Sequence, residues 1–186
     1  MSYNLRDVQY ISAVHTLSNT DYGSGGLYGA LAIDISSMVN TQALGGKPVG
    51  LAVYRCHIDL SADASGAPVQ NGETGSLRVM VTAKDIGTTG DVITGTGLNS
   101  LNNNSALNIH GQDWYGPGGA ISQSIYTFLE PSDEVPYVVV RDTIYVIWQN
   151  GNGALTSDLY LSVRLEVAPI KVTTNLMNQL IRTQSQ

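Results

Sequence analysis

Three histidines, one cysteine and 15 scattered carboxylates are the side chains in this 186-residue sequence best suited to act as metal ligands or acid–base groups. His15, His57 and His110 lie far apart, and none stands at the spacing of a His-Glu-x-x-His helix or a zinc site. Histidines dispersed in this way read as structural or exposed, so no metal is expected on them. Cys56 is the only cysteine, so no intrachain disulfide can form. It falls inside the apolar run Val49 to Leu60, where a thiol reads as a small buried hydrophobe rather than a nucleophile. Asp85, Asp91 and Asp113 carry oxygen donors suited to Ca²⁺, but they lack the periodic spacing of a calcium loop and read as solvated carboxylates. Asp133 and Glu134 are adjacent, and neighbouring residues of a strand or turn point apart. A glycosidase needs two carboxyls facing one substrate across about 5–10 Å.

The glycine-rich segments do not make phosphate loops. Gly23-Ser24-Gly25-Gly26-Leu27-Tyr28-Gly29 leads into a strand pattern, whereas a dinucleotide fingerprint leaves a strand and opens a helix. Gly95-Thr96-Gly97 has no lysine partner, and no Gly-x-Ser-x-Gly nucleophile elbow occurs. Asn103-Asn104-Ser105 is a formal glycosylation acceptor that carries meaning only in a secreted chain. The segment best suited to recognition is Trp114-Tyr115, beside Gly116-Pro117-Gly118-Gly119. An exposed aromatic pair on a loop stacks on a sugar ring or fills a partner's pocket. The plainer reading is a loop anchored on its own domain by a buried Trp114. No catalytic, cofactor or metal site emerges, and the chain is not expected to be an enzyme.

Composition narrows the classes. Charged residues are 13% of the chain, roughly half the usual globular share. The net charge is −6 and the only lysines are Lys47, Lys84 and Lys171. An acidic surface without a Lys/Arg cluster repels phosphate, so direct nucleic-acid binding is not expected. The preference for Asp over Glu with few lysines reads either as ordinary drift or as adaptation to high salt. Apolar residues reach 42%, enough for a core, and Gly (20) and Tyr (10) outnumber Phe (1) in the manner of turn-rich β proteins. The first residues lack the basic start and apolar stretch of a signal peptide, and no apolar run reaches 18 residues.

The elements that must position these residues are strands. Val8 to Leu17, Leu27 to Ile35, Val49 to Leu60, Ser76 to Ala83, Ser122 to Glu130, Tyr137 to Val140 and Thr143 to Gln149 all read as strands. Alternation in Val49 to Leu60 places Leu51, Val53, Arg55 and His57 on one side and Ala52, Tyr54, Cys56 and Ile58 on the other, with both faces partly apolar as in a central strand. Leu159 to Val167 alternates almost perfectly until Pro169 ends it. Asn150-Gly151-Asn152-Gly153 signals a hairpin-type turn. Lys84 to Gly119 reads as a long loose stretch with short strands near Asp91 to Thr94 and Ala106 to His110. A short helix over 174–183 carries an apolar stripe, Leu176, Met177, Leu180 and Ile181. That stripe docks either on its own domain or on a neighbouring subunit or membrane surface. The whole, residues 1–186, reads as one all-β domain: a jelly roll or β-sandwich of about eight antiparallel strands with long loops.

At about 20 kDa, with eight strand candidates, no signal peptide, no active site, Asp over Glu and few lysines, the chain resembles a viral structural family. That family is the small major capsid protein of tailless icosahedral viruses with an internal membrane that infect halophilic archaea or thermophilic bacteria. Their shells use two single-jelly-roll proteins. The resemblance covers the whole chain as a pattern and implies a virion protein made in the host cytoplasm. It further implies self-association into capsomers, a second capsid protein as partner and a nearby inner membrane surface. It implies no cofactor and no small-molecule substrate. Trp114, Tyr115, Leu176, Met177, Leu180 and Ile181 are then the interface candidates. The alternative is a carbohydrate-binding β-sandwich using Trp114 and Tyr115, with Tyr126 as a further platform residue. A cupin-like enzyme is a third reading, and the histidine spacing speaks against it.

Overall fold

The last strand shows how the sequence builds the sheets. Leu159, Leu161, Val163, Leu165 and Val167 are all buried, while Tyr160, Ser162, Arg164 and Glu166 between them face outward. Period-two alternation places one face against a core and the other toward water. In this computed structural model, residues 8–18, 28–41, 46–67, 75–84, 106–115, 122–152 and 158–185 are described.

Nine strands and one helix appear among the described residues: β1 (Gln9–Leu17), β2 (Tyr28–Asp34), β3 (Val49–Ser61), β4 (Gly75–Thr82), β5 (Ala106–Tyr115), β6 (Ser122–Leu129), β7 (Tyr137–Val139), β8 (Thr143–Asn152), β9 (Leu159–Lys171) and α1 (Thr174–Ser185). They form a four-stranded sheet, β1-β9-β3-β7, and a five-stranded sheet, β2-β8-β4-β5-β6. Every pairing is antiparallel. The pairs are nested: β1 with β9, β2 with β8, β3 with β7, β4 with β5. A long hairpin rolled over so that its arms alternate between two sheets has this wiring, which is that of a jelly roll with β6 added at one edge. Leu17, Leu51, Val53 and Leu165 from the first sheet meet Ile33, Val79, Ile144 and Trp148 from the second in one core.

Four details depart from the sequence reading. The first is a bulge at Tyr54. It resets the alternation, so Arg55 and His57 face outward while Leu51, Val53, Cys56, Ile58 and Leu60 face the core. The extra residue of a bulge re-aims every side chain that follows it. Second, β9 continues through Pro169 to Lys171. Pairing with β1 stops at Gln9 opposite Val167, so Pro169 lies where β9 has a ladder only on the β3 side. Third, Asn150-Gly151-Asn152 is no hairpin turn, and Gly153 lies outside the described residues. Asn150 to Asn152 belong to β8, with a bulge where Ser76 and Leu77 face Asn152 and Asn150, and β8 and β9 lie in different sheets. Fourth, β5 runs ten residues to Tyr115, well past His110. The short strand expected near Asp91 lies outside the described residues.

Two glycines admit aromatic rings. A Cβ on Gly29 would collide with the indole of Trp148, its cross-strand partner, and one on Gly111 would collide with the ring of Tyr126. An aromatic ring laid across a strand glycine fills the missing side chain's space and holds the register.

The helix lies on the outer face of the first sheet. Met177 is buried there with Val140 and Val172, and Leu180 and Ile181 pack against the same cluster with Val138 and Ile170. Its start is capped by the Thr173 hydroxyl, which accepts from the Leu176 amide at 3.3 Å. The outer face of the second sheet is also apolar in part: Met80, Ala106, Ile109 and Ile147 are buried there.

Candidate functional site

The fold keeps the three histidines apart. His15 stacks on Trp148 with ring centroids 4.6 Å apart. His57 is exposed on the outer face of the first sheet, 3.5 Å from Glu166. His110 is buried between the sheets, which pushes its imidazole below the ordinary histidine value despite the charge of Asp59 nearby. Among the described residues no group of three His, Cys, Asp or Glu side chains could hold a metal ion. Cys56 is 4% exposed, and burial, aided by the charge of Glu130, pushes its thiol far up. A thiol held protonated in this way is a poor nucleophile.

Trp114 and Tyr115 are not on a loop. They end β5, with their backbones opposite Gln123 and Ser122 of β6, and their side chains lie outside the described residues. The strand passes through Gly111 because Tyr126 supplies the missing bulk. Beside them is a connected polar cluster. Arg78 Nη1 donates to Asp113 Oδ1 at 2.9 Å, the Tyr126 hydroxyl donates to Asp113 Oδ2 at 2.6 Å, and the Arg78 guanidinium sits 4.6 Å from the centre of the Tyr126 ring. Desolvation pushes the Asp113 carboxyl up, but the bonds from Arg78 and Tyr126 and the guanidinium charge outweigh it and leave the group below the usual carboxylate value. Of the three aspartates weighed as calcium ligands, Asp113 is thus engaged by Arg78 and Tyr126, while Asp85 and Asp91 lie outside the described residues. Asn103-Asn104-Ser105, Gly95-Thr96-Gly97 and Gly23 to Leu27 do too.

The interior holds a polar row that the sequence reading missed. Asn108, His110 and Gln112 alternate along β5 and are all buried. Asn108 Nδ2 reaches the Cys56 carbonyl at 3.5 Å, but Asn108 Oδ1 and His110 Nε2 have no hydrogen-bond partner. Their spacing of two along a strand was a visible signal once the strand was known to run past His110.

The outer face of the first sheet is charged where α1 does not cover it. Arg55 pairs with Asp133 at 3.2 Å and with Glu166 at 3.9 Å, and Arg164 stacks over Tyr10 at 4.1 Å. Exposed pairs of this kind add little stability. Asp133 acts here as an ion-pair partner in the segment leading to β7.

The sheet edges differ from one another. β1 bounds the first sheet and carries Tyr10 and Val14, 56% and 64% exposed. β6 bounds the second and carries Ile125, 63% exposed. The β7 edge is instead covered by the helix end: Gln184 Nε2 donates to the Val138 carbonyl at 2.7 Å, and the Val140 amide donates to Gln184 Oε1 at 3.2 Å. Of the helix candidates, Met177 is buried on its own sheet, Leu180 and Ile181 are half-buried there, and Leu176 is exposed. A groove of about 290 Å³ lies beside this contact, lined by Val39, Thr41, Val140, Arg141, Asp142 and Ile181. No described helix is long and apolar enough to cross a membrane.

No protein-family model matches this chain, and no curated protein matches it.

Proposed function

We propose that this chain is a structural subunit of a virion, a capsid protein that assembles laterally with copies of itself and with a second capsid protein. The observation that carries the reading is the pair of long edge strands, β1 and β6, that present Tyr10, Val14 and Ile125 to solvent. Strand edges bearing exposed apolar side chains are sites where a sheet continues into, or packs on, a neighbour. Three further features fit. The jelly-roll wiring is shared with many shell proteins, although it serves lectins and cupins too. Among the described residues, one apolar cluster joins the inner faces of the two sheets, as a stiff sandwich subunit requires. The charge-poor composition suits surfaces that are covered in an assembly. On this reading the protein works in the virion, and Leu176 on the exposed side of α1 is available to a partner or an inner membrane surface.

Sedimentation velocity and electron microscopy of the protein at low and molar salt test the proposal. Regular oligomers, sheets or particles are the expected result. A protein that stays monomeric at every salt concentration, with and without a candidate partner, overturns it.

Carbohydrate binding is the second reading, favoured by the Arg78–Asp113–Tyr126 cluster, which sets an aromatic ring among polar groups on β4, β5 and β6. Glycan binding by a monomer, lost in Trp114→Ala, would establish it in place of the first.

A further inference from the structure

Gln184 stands in for a strand. Val138 O and Val140 N flank Val139, which faces Leu51 across the β3 ladder. Both groups bond to Gln184 and not to β3, so they point to the side where a further strand would add. In a parallel sheet, one residue of the incoming strand donates its N–H to the carbonyl before, and accepts from the amide after, the residue it faces. The side-chain amide of Gln184 makes this same pair of bonds around Val139. It is 2% exposed and belongs to the final turn of α1, whose Met177, Leu180 and Ile181 cover Val138, Val140, Ile170 and Val172. The helix therefore covers both the outward backbone groups of the edge and the apolar surface beside it.

Only Val172 and Thr173 separate β9 from α1, so the helix is held at its root, where the Val172 amide donates to the Pro48 carbonyl at 2.9 Å. Its far end is held by the Gln184 amide together with side-chain packing. A cover hinged at one end and latched at the other can open without disturbing either sheet.

We propose that α1 is an edge guard: the Gln184 amide blocks β7 from pairing with a second copy of this chain, and release of that amide turns β7 into a strand acceptor. A second copy is the occupant because it brings edge strands of its own, β1 and β6, with exposed apolar side chains, and unprotected edges are the usual route to self-pairing. The inference does not depend on the capsid reading. A protein that never forms shells would still need this edge closed.

The test compares the full-length protein with Gln184→Ala and Gln184→Leu by hydrogen exchange at the Val140 amide and by sedimentation over a concentration series. The Leu variant keeps apolar packing but has no amide. Both variants are expected to exchange faster at Val140 by about tenfold or more at low concentration and to self-associate more tightly by about tenfold or more, the effect of losing the two Gln184 hydrogen bonds, each of modest net worth, from the closed state. Raising their concentration should protect Val140 again. Should Gln184→Ala lose its strand signal in circular dichroism, Gln184→Glu, which keeps an acceptor for Val140 but no donor for Val138, takes its place. Unchanged exchange, faster exchange without association, or association that leaves Val140 unprotected each overturns the proposal.

Discussion

The ring of Tyr126 on β6 lies across the backbone of Gly111 on β5, and it does so where the two residues face each other in register. The same ring holds Asp113 through its hydroxyl and carries the Arg78 guanidinium on its face. One side chain thereby fixes the register of the outermost strand pair. Gly111→Ala should force the ring aside and cost about 1–3 kcal/mol, the usual penalty of overpacking. Urea unfolding measures this directly. Tyr126→Ala in the Gly111→Ala background should recover part of the loss, because the collision disappears with the ring.

His110 makes stability fall in mild acid. Its imidazole sits below the unfolded value of 6.5, chiefly through burial, so in that window the unfolded chain binds more protons than the folded one. Stability should decline as pH drops below about 6.5 and level off once the folded state also takes the proton. Chemical denaturation at a series of pH values, compared with His110→Gln, isolates the effect. A His110→Gln protein with the same slope between pH 6.5 and 5 would show that another group is responsible.

Cys56 should react with a maleimide only after unfolding. Its thiol is buried and held protonated by desolvation. Labelling kinetics that follow global unfolding across denaturant concentrations are expected, and rapid labelling of the native protein would contradict the core position.

Helix packing separates two neighbours in sequence. Met177→Ala removes a buried side chain from the cluster under α1 and should cost about 2–4 kcal/mol. Leu176→Ala, at an exposed position, should lie within about 0.5 kcal/mol of the parent. Thermal melts of the two variants side by side give the contrast.

The edge strands carry the functional prediction. Val14→Ser with Ile125→Ser should leave folding stability within about 1 kcal/mol, since both sites are exposed. The pair should weaken self-association by about tenfold or more, from the apolar area lost at a contact. Equal association by the variant and the parent would remove β1 and β6 as contact edges.

What could be read in the sequence depended on whether its cause was local. The inward residues of β9 were legible because alternation needs only the strand itself. The outward placement of Arg55 and His57 was not, because the bulge at Tyr54 arises in pairing with β9, more than a hundred residues away. Gly111 reads as a break in isolation and becomes strand only once Tyr126 lies over it, so the sequence alone puts Trp114 in a loop while its backbone belongs to β5. Asn150-Gly151 has turn chemistry, but the neighbouring strand β4 turns it into a bulge. The spacing shows the helix stripe but not the surface it meets, since an apolar stripe does not name its partner. The Gln184 contact had no sequence signal: a glutamine near a chain end looks solvated until an open strand edge lies beside it.

The nesting of the strands also bears on how the protein is made. β9 lies between β1 and β3, so the first sheet cannot close until β9, made long after both of its neighbours, has left the ribosome. Until then β1 and β3 have no neighbour to satisfy their facing backbones, and β2 and β4 wait in the same way for β8. Such long-range pairings form slowly, and their open edges are exposed to other chains while they wait. Newly made copies therefore meet one another with their central strands still missing. The yield of folded protein should depend on how fast the C-terminal third is delivered and how crowded the nascent chains are, more than on the stability of the finished sandwich.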